Sequence, residues 1–421
     1  MVALAIATTQ SPALAQEKTI EERLKALENQ NAELQKQVSD QQKTIVELKE
    51  RVSDHSTSEA DVDGSEVKKG GMNFGSLHLS GEGGLGYYHG GTDGLFPDGA
   101  FRVDEAKLFV EAPVWKDTYF FGELNLILRE SSDEFFHLGE LYIDFENLSR
   151  FWSERNYLNL RAGRIDIPFG EEYLSRDSID NPLISHSLSD IWGVDEGVEL
   201  YGSIYNFDYV FAVQNGGHPS LDDYDSDKAI IGRVGYNFGN RARISASGMR
   251  TGALNTAGDK LSESWFGNGF FAPVGTPEET PTFQANLFEF DAQTFWRSGH
   301  LKLAGGYFQY DDTNPSVSKR DGYYYYAEAL QHVNKKFYGA ARFSQIMADD
   351  GLHMVGYGNF GKYLFTPLLT RDLWRLSLGL GYQWSESLVT KVEYSFERGE
   401  LIGGTTRDHE DFFGAEVSFK F

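Results

Sequence analysis

The sequence predicts an all-β chain: a 16-stranded antiparallel transmembrane β-barrel preceded by an N-terminal α-helical coiled coil. Three observations predict it. Aromatic residues make up 14% of the 421 residues, with 31 Phe and 22 Tyr beside 45 Gly and only 11 Pro, a mixture that favours strands and turns. From about residue 74 apolar and polar residues alternate with period two in segments about ten residues long, the length of a tilted membrane-crossing strand. The connections between segments alternate short and long, as in a barrel with tight turns at one end and loops at the other.

Composition excludes several alternatives. Against 63 Asp+Glu stand 38 Lys+Arg, a net charge of −25, so no nucleic-acid partner is expected, because phosphates need a basic face. The chain has no Cys, which removes disulfides, thiolate metal sites and a Cys nucleophile. No run of 18 apolar residues occurs, so no membrane-spanning helix is expected; strands, being half apolar, remain allowed.

Residues 1–15, MVALAIATTQSPALA, are uncharged, apolar and end in Ala13-Leu14-Ala15, which predicts a secretory signal peptide cleaved after Ala15. The next segment, 16–54, is expected to be a coiled coil for self-association. Ile20, Leu24, Leu27, Asn31, Leu34, Val38, Gln41, Ile45, Leu48 and Val52 alternate spacings of four and three, the seam of a heptad repeat. β-Branched residues at a, Leu at d and one buried Asn favour a parallel dimer, and Gln41 at d weakens that preference. Residues 55–73 show no period and read as a linker.

The barrel is expected over 74–421. Its strands are expected near 74–88, 100–112, 118–129, 135–147, 157–165, 193–203, 207–215, 227–237, 241–250, 283–297, 300–310, 322–332, 336–346, 373–383, 387–397 and 411–421. Leu376, Leu378, Leu380, Tyr382 and Trp384, for example, alternate with Arg375, Ser377, Gly379, Gly381 and Gln383. The pattern leaves open which face points outward. Tyr87, Tyr88, Tyr119, Phe120, Tyr323, Tyr325, Trp374 and Trp384 stand at strand ends, as aromatic girdles require, and the polar faces carry too many charges for a sandwich core. The chain ends on Phe421, on an amphipathic strand, which suits an outer-membrane protein. An even strand count places both barrel ends, and the coiled coil, on the periplasmic side. The connection 130–134 is short where a long one is needed, and 148–156 the reverse.

Three stretches resemble the phosphate-selective porin (porin O and P) family of bacterial outer-membrane porins: Gly163-Arg164-Ile165-Asp166-Ile167-Pro168-Phe169-Gly170, Phe101-Arg102-Val103-Asp104-Glu105-Ala106-Lys107-Leu108, and Tyr338-Gly339-Ala340-Ala341-Arg342-Phe343-Ser344-Gln345. The resemblance implies a sixteen-stranded trimeric porin, some members carrying an N-terminal coiled coil, and so a homotrimer rather than a dimer. The substrate does not transfer with it. A phosphate pore needs a ladder of cations, and here the polar strand faces are mixed. Basic pore-wall candidates are Lys107, Arg129, Arg161, Arg164, Arg233, Arg243, Lys302, Arg342 and Lys391. Acidic ones include Glu105, Glu123, Glu140, Asp144, Glu199, Glu289, Asp291, Glu328, Glu393 and Glu416.

The long connection after the fifth strand is the candidate constriction loop. It carries Asp166, Glu171, Glu172, Asp177, Asp180 and Asp190 against Arg176. Acids in a narrow throat enrich cations and repel anions, which predicts a weakly cation-preferring pore, with Arg161 and Arg342 on the opposing wall. The alternative places these acids on the outer surface, bridged to lipopolysaccharide by divalent ions. Gly81–Gly86 matches G-x-G-x-x-G without a following helix, Asp222–Asp227 lacks EF-hand spacing, and Asp408–Asp411 lies in a loop, so no cofactor and no metal are expected. No hydrolase motif occurs. The function expected is passive diffusion of ions and small hydrophilic solutes through the outer membrane, without enzymatic activity. An anion-selective pore and a coiled-coil tether to periplasmic components are the alternatives.

Overall fold

The computed structural model describes residues 72–127, 136–216, 226–255, 265–266, 269–270, 274, 278–314, 317–363 and 366–421. The signal segment, the coiled coil, all but the last two residues of the linker, Arg129 and most of the Asp222–Asp227 run lie outside the described residues.

Sixteen antiparallel strands form the barrel: β1 (Leu77–Gly90), β2 (Ala100–Trp115), β3 (Thr118–Ile127), β4 (His137–Phe145), β5 (Asn159–Asp166), β6 (Val194–Ile204), β7 (Phe207–Gln214), β8 (Ala229–Asn237), β9 (Ala242–Arg250), β10 (Ala285–Trp296), β11 (Gly299–Asn314), β12 (Val317–His332), β13 (Phe337–Leu352), β14 (Thr370–Ser385), β15 (Leu388–Leu401) and β16 (Phe412–Lys420). Each pairs with the next. β16 returns to β1, from Glu82↔Lys420 to Gly90↔Phe412, so the sheet closes on itself and no edge is left open. Two short strands extend it, Met72–Phe74 against β1 and Thr406–Arg407 against β15.

The alternation resolves with its apolar side outward. On β14, Leu378 and Leu380 are exposed while Arg375 and Ser377 are buried. On β15, Val392, Tyr394 and Phe396 point out, and Lys391, Glu393 and Glu397 point in. A soluble sandwich would have the reverse. Rings cluster at the two rims of the outer face: Phe207, Tyr236 and Phe238 in edge contacts of 4.7 Å at the short-turn end, Tyr325, Phe343 and Trp374 at 6.0 Å nearer the long loops. Tyr88 departs from the expected girdle. It points inward, is 2% exposed, and donates to Glu416 at 2.9 Å. The Gly81–Gly86 run lies within β1, where the ring of Phe421 covers Gly81.

One connection differs from expectation and another, long as expected at a short-turn position, has a local reason. The pairing of β11 with β12 runs past the apolar belt, its register shifting beyond Asp311 before it ends at Asn314↔Val317. Asp312–Arg320 (2.6 Å) and Asp311–Lys319 (3.8 Å) hold the polar extension together. Alternation of apolar residues stops earlier, so the sequence shows shorter strands. The long connection after β4 folds on itself at the short-turn end. It contains the 3-10 turn Leu148–Phe151, centred on Ser149, whose hydroxyl donates to the Arg155 carbonyl (2.7 Å) and accepts from the Tyr157 N–H (2.8 Å).

Candidate pore constriction

The connection 167–193 does not stay on the surface. Ile167, Phe169, Leu183, Ile184, Leu188 and Ile191 are each at least nine-tenths buried. Ile167, Phe169, Leu188 and Ile191 join Ile231, Met249, Leu287, Phe308, Tyr324 and Ile346, inward residues of β8 to β13. Burying six large apolar side chains is what draws the loop into the lumen.

A buried loop must also satisfy its backbone. The inward charges of β13 to β15 do this. Lys391 donates to the carbonyls of Ser178 (2.5 Å) and Leu183 (3.1 Å). Arg342 donates to the Ser185 carbonyl (2.6 Å) and to Asn181 Oδ1 (2.9 Å). Arg375 donates to the His186 carbonyl at 3.0 Å. Glu393 accepts from the N–H groups of Ile184 (2.5 Å) and Ser185 (2.9 Å). Each cation is also balanced on the wall: Lys391 by Glu416, Arg342 by Glu328, Arg375 by Glu397. Two glycines make room for the tip. A Cβ at Gly379 would stand 2.5 Å from Leu183 Cδ2, and one at Gly414 would stand 2.9 Å from Ile184 Cδ1.

The first arm of the loop crosses toward the other wall. Glu171 accepts from Arg243 Nε (2.7 Å) and Gln293 Nε2 (2.7 Å), and Arg243 is shared with Asp208. Glu172 accepts from the Ser187 N–H at 2.8 Å. Burial, reinforced by neighbouring Asp190, pushes its carboxyl up to about 7. Arg176 Nε donates to Asp190 at 3.1 Å. Asp177 meets Lys107 at 2.6 Å, and Glu82 and Glu105 lie within 3.5 Å of the same ammonium. Asp180 is exposed, 3.7 Å from Lys420.

Between this arm and β4 to β8 lies a cavity of about 460 Å³. Tyr173 and Leu174 bound it on the loop side, and Glu140, Arg161, Asp166, Glu199, Asp208 and Arg233 line it with Tyr201 and Tyr209. Arg161 binds Asp144 (3.1 Å) and Glu199 (3.2 Å) and stacks over Tyr142 at 4.3 Å. Arg233 donates to the Gly170 carbonyl and lies 5.3 Å from the Tyr173 ring. Counting Asp144 and Arg243, five carboxylates face three guanidinium groups, and all three guanidinium groups are already engaged.

Of the loop acids expected in a constriction, Asp166 lines the cavity. Glu171, Glu172 and Asp190 are buried against their partners, and Asp177 is tied to Lys107. Of the pore-wall bases, Arg161 and Arg233 line the cavity, Arg243 stands behind it, and Lys107, Arg342 and Lys391 bind the loop. Arg164 pairs with Glu196 at 2.9 Å on the strand face opposite Arg161. Arg342 lies beneath the loop, so it does not confront Arg161 across water. Glu140, Asp144 and Glu199 stand among the acidic lumen candidates of the sequence. Asp208, Arg375, Tyr173 and Tyr201 do not, although Arg375 and Asp208 sit at inward positions of the alternation. In the 408–411 loop, Glu410 is taken up by Arg407 and Asp411 by Arg398.

No family model matches the sequence, and no curated protein matches it. Solved structures do. The chain is similar to the outer membrane channel DcaP of Acinetobacter baumannii, with a TM-score of 0.55 and 11% identity over 82% of this chain and 97% of that one. It is similar to a loop L8 deletion mutant of OmpT, an outer membrane protein of Vibrio cholerae (TM-score 0.53, 15% identity, 82% and 99% covered). It is also similar to OprB of Pseudomonas putida (0.53, 12%, 82% and 94%). The fold is that of the outer-membrane porins. At such identities the likeness is one of fold alone.

Proposed function

We propose that this chain is a porin-type channel of the bacterial outer membrane, letting ions and small hydrophilic solutes diffuse passively with a weak preference for cations. The observation that carries this reading is the cavity beside the inward loop: polar, lined by more carboxylates than cations, and bounded by a barrel whose outer face is apolar. Carboxylates in a low-dielectric throat raise the local cation concentration. The phosphate-type alternative needs unengaged cations along the path, and among the described residues Lys107, Arg161, Arg233, Arg243, Arg342 and Lys391 are instead engaged by the loop or by wall carboxylates. The short turns would face the periplasm, with the 16–54 segment there driving self-association into a homotrimer, as the family resemblance implies.

Liposome swelling with uncharged solutes of graded size tests the channel itself. Entry of small sugars with a sharp size cut-off is expected. Liposomes holding folded protein that exclude even the smallest solute would refute the reading.

A further inference from the structure

The outer face is not uniformly convex. Along one row of paired residues Leu301, Ala329, Ala341 and Leu378 stand side by side, and along the next Gln331, Gly339 and Leu380. Ala329, Gly339 and Ala341 therefore form a floor between larger neighbours. Trp296, whose indole donates to Gln331 at 2.9 Å, closes one side. The result is an apolar groove of about 660 Å³ on the membrane-facing wall.

One end of the groove, at Trp296 and Gln331, lies beside the short turns, and there the charge changes sign. The turns beside it carry Arg297, Lys335 and Lys336, all exposed, against Glu386 alone. Lys336 stands three residues from Gly339, about 10 Å along an extended strand. Its ammonium donates to the Tyr382 hydroxyl at 3.3 Å, beside the groove rather than away from it. In a chain with a net charge of −25, three cations on the lip of an apolar groove select their own kind of partner.

We propose that this groove binds one anionic phospholipid, its acyl chain along Ala329, Gly339 and Ala341 and its phosphate held by Arg297, Lys335 and Lys336. The site rests on the barrel lying in a membrane, but not on whether the lumen conducts. It differs from the aromatic rims, which have no preference for headgroup charge.

Native mass spectrometry of the full chain in detergent, titrated with phosphatidylglycerol or phosphatidylcholine of equal chain length, tests it. One retained phosphatidylglycerol per chain is expected, with phosphatidylcholine lost. With the three headgroup cations removed, R297Q/K335Q/K336Q should cut the preference on the order of a hundredfold. Ala341→Phe fills the floor and should abolish retention while the barrel keeps its heat-modifiable migration. Equal retention of the two lipids, or retention that survives both variants, overturns the proposal. So does a change of oligomeric mass on Ala341→Phe, which would assign the groove to a second copy of the chain.

Discussion

Arg161 is held between Asp144 and Glu199 and stacked on Tyr142, so its charge is compensated within the wall. Glu199→Gln removes one carboxylate from the cavity and leaves the guanidinium half-compensated. The expected outcome is a fall in cation over anion permeability, read as a smaller reversal potential in a salt gradient. Glu172 makes a second prediction at this scale. It faces Asp190 and Ser187 on its own loop, Arg342 on β13, Glu289 on β10 and Tyr326 on β12, and His186 stands 3.4 Å from Asp190. Its carboxyl is raised from 4.5 to about 7, so the docked loop holds its proton more tightly than a free loop would. Docking is then strongest below the free value and weakens as pH rises from 4.5 through 7. Channels should be steadier and of lower conductance at pH 5 than at pH 8, and Glu172→Gln should flatten that difference.

At the scale of the loop, the lumen is narrowed by two kinds of fit. Apolar side chains fill the inward face of β8 to β13, and wall charges take up the backbone between Ser178 and His186. Glu393→Ala would leave the N–H groups of Ile184 and Ser185 without acceptors, at about 1–3 kcal/mol for each buried group. That weakens the docking of the loop tip, while the closed sheet loses no ladder bond. Gly379→Val would strike Leu183 in the same way. Both variants are expected to raise single-channel conductance while leaving thermal unfolding of the barrel nearly unchanged, measured by gel shift on heating. The loop's place in the lumen was only partly legible beforehand. Its length and its position after β5 mark it out, but an acid-rich loop reads as polar surface. Asp166, Glu171, Glu172, Asp177, Asp180 and Asp190 are spaced irregularly, and only the pairing of Arg243, Lys107 and Ser187 with them shows which are buried. The backbone-binding role of Arg342, Arg375 and Lys391 carries no sequence signal, because a carbonyl partner leaves no residue type to recognise.

For the molecule as a whole, the barrel was legible because one physical rule acts everywhere on it. Period-two alternation marks the apolar outer face and the polar inner face, and all sixteen strands follow from it. The ends of β11 and β12 escaped because cross-strand ion pairs, not apolar residues, continue the ladder there. Deleting 17–69 should leave the barrel conducting, since closure depends only on β1 to β16. If the heptads drive assembly, the oligomer should weaken in the same variant, as measured by analytical ultracentrifugation. An acid-lined pore beside an inward loop would show itself in the reversal potential of the purified protein in a planar bilayer under a KCl gradient. Conductance is expected, with a potential of cation sign that shrinks in Glu140→Gln/Glu199→Gln. An anion sign, or a folded barrel that passes no current, would contradict it.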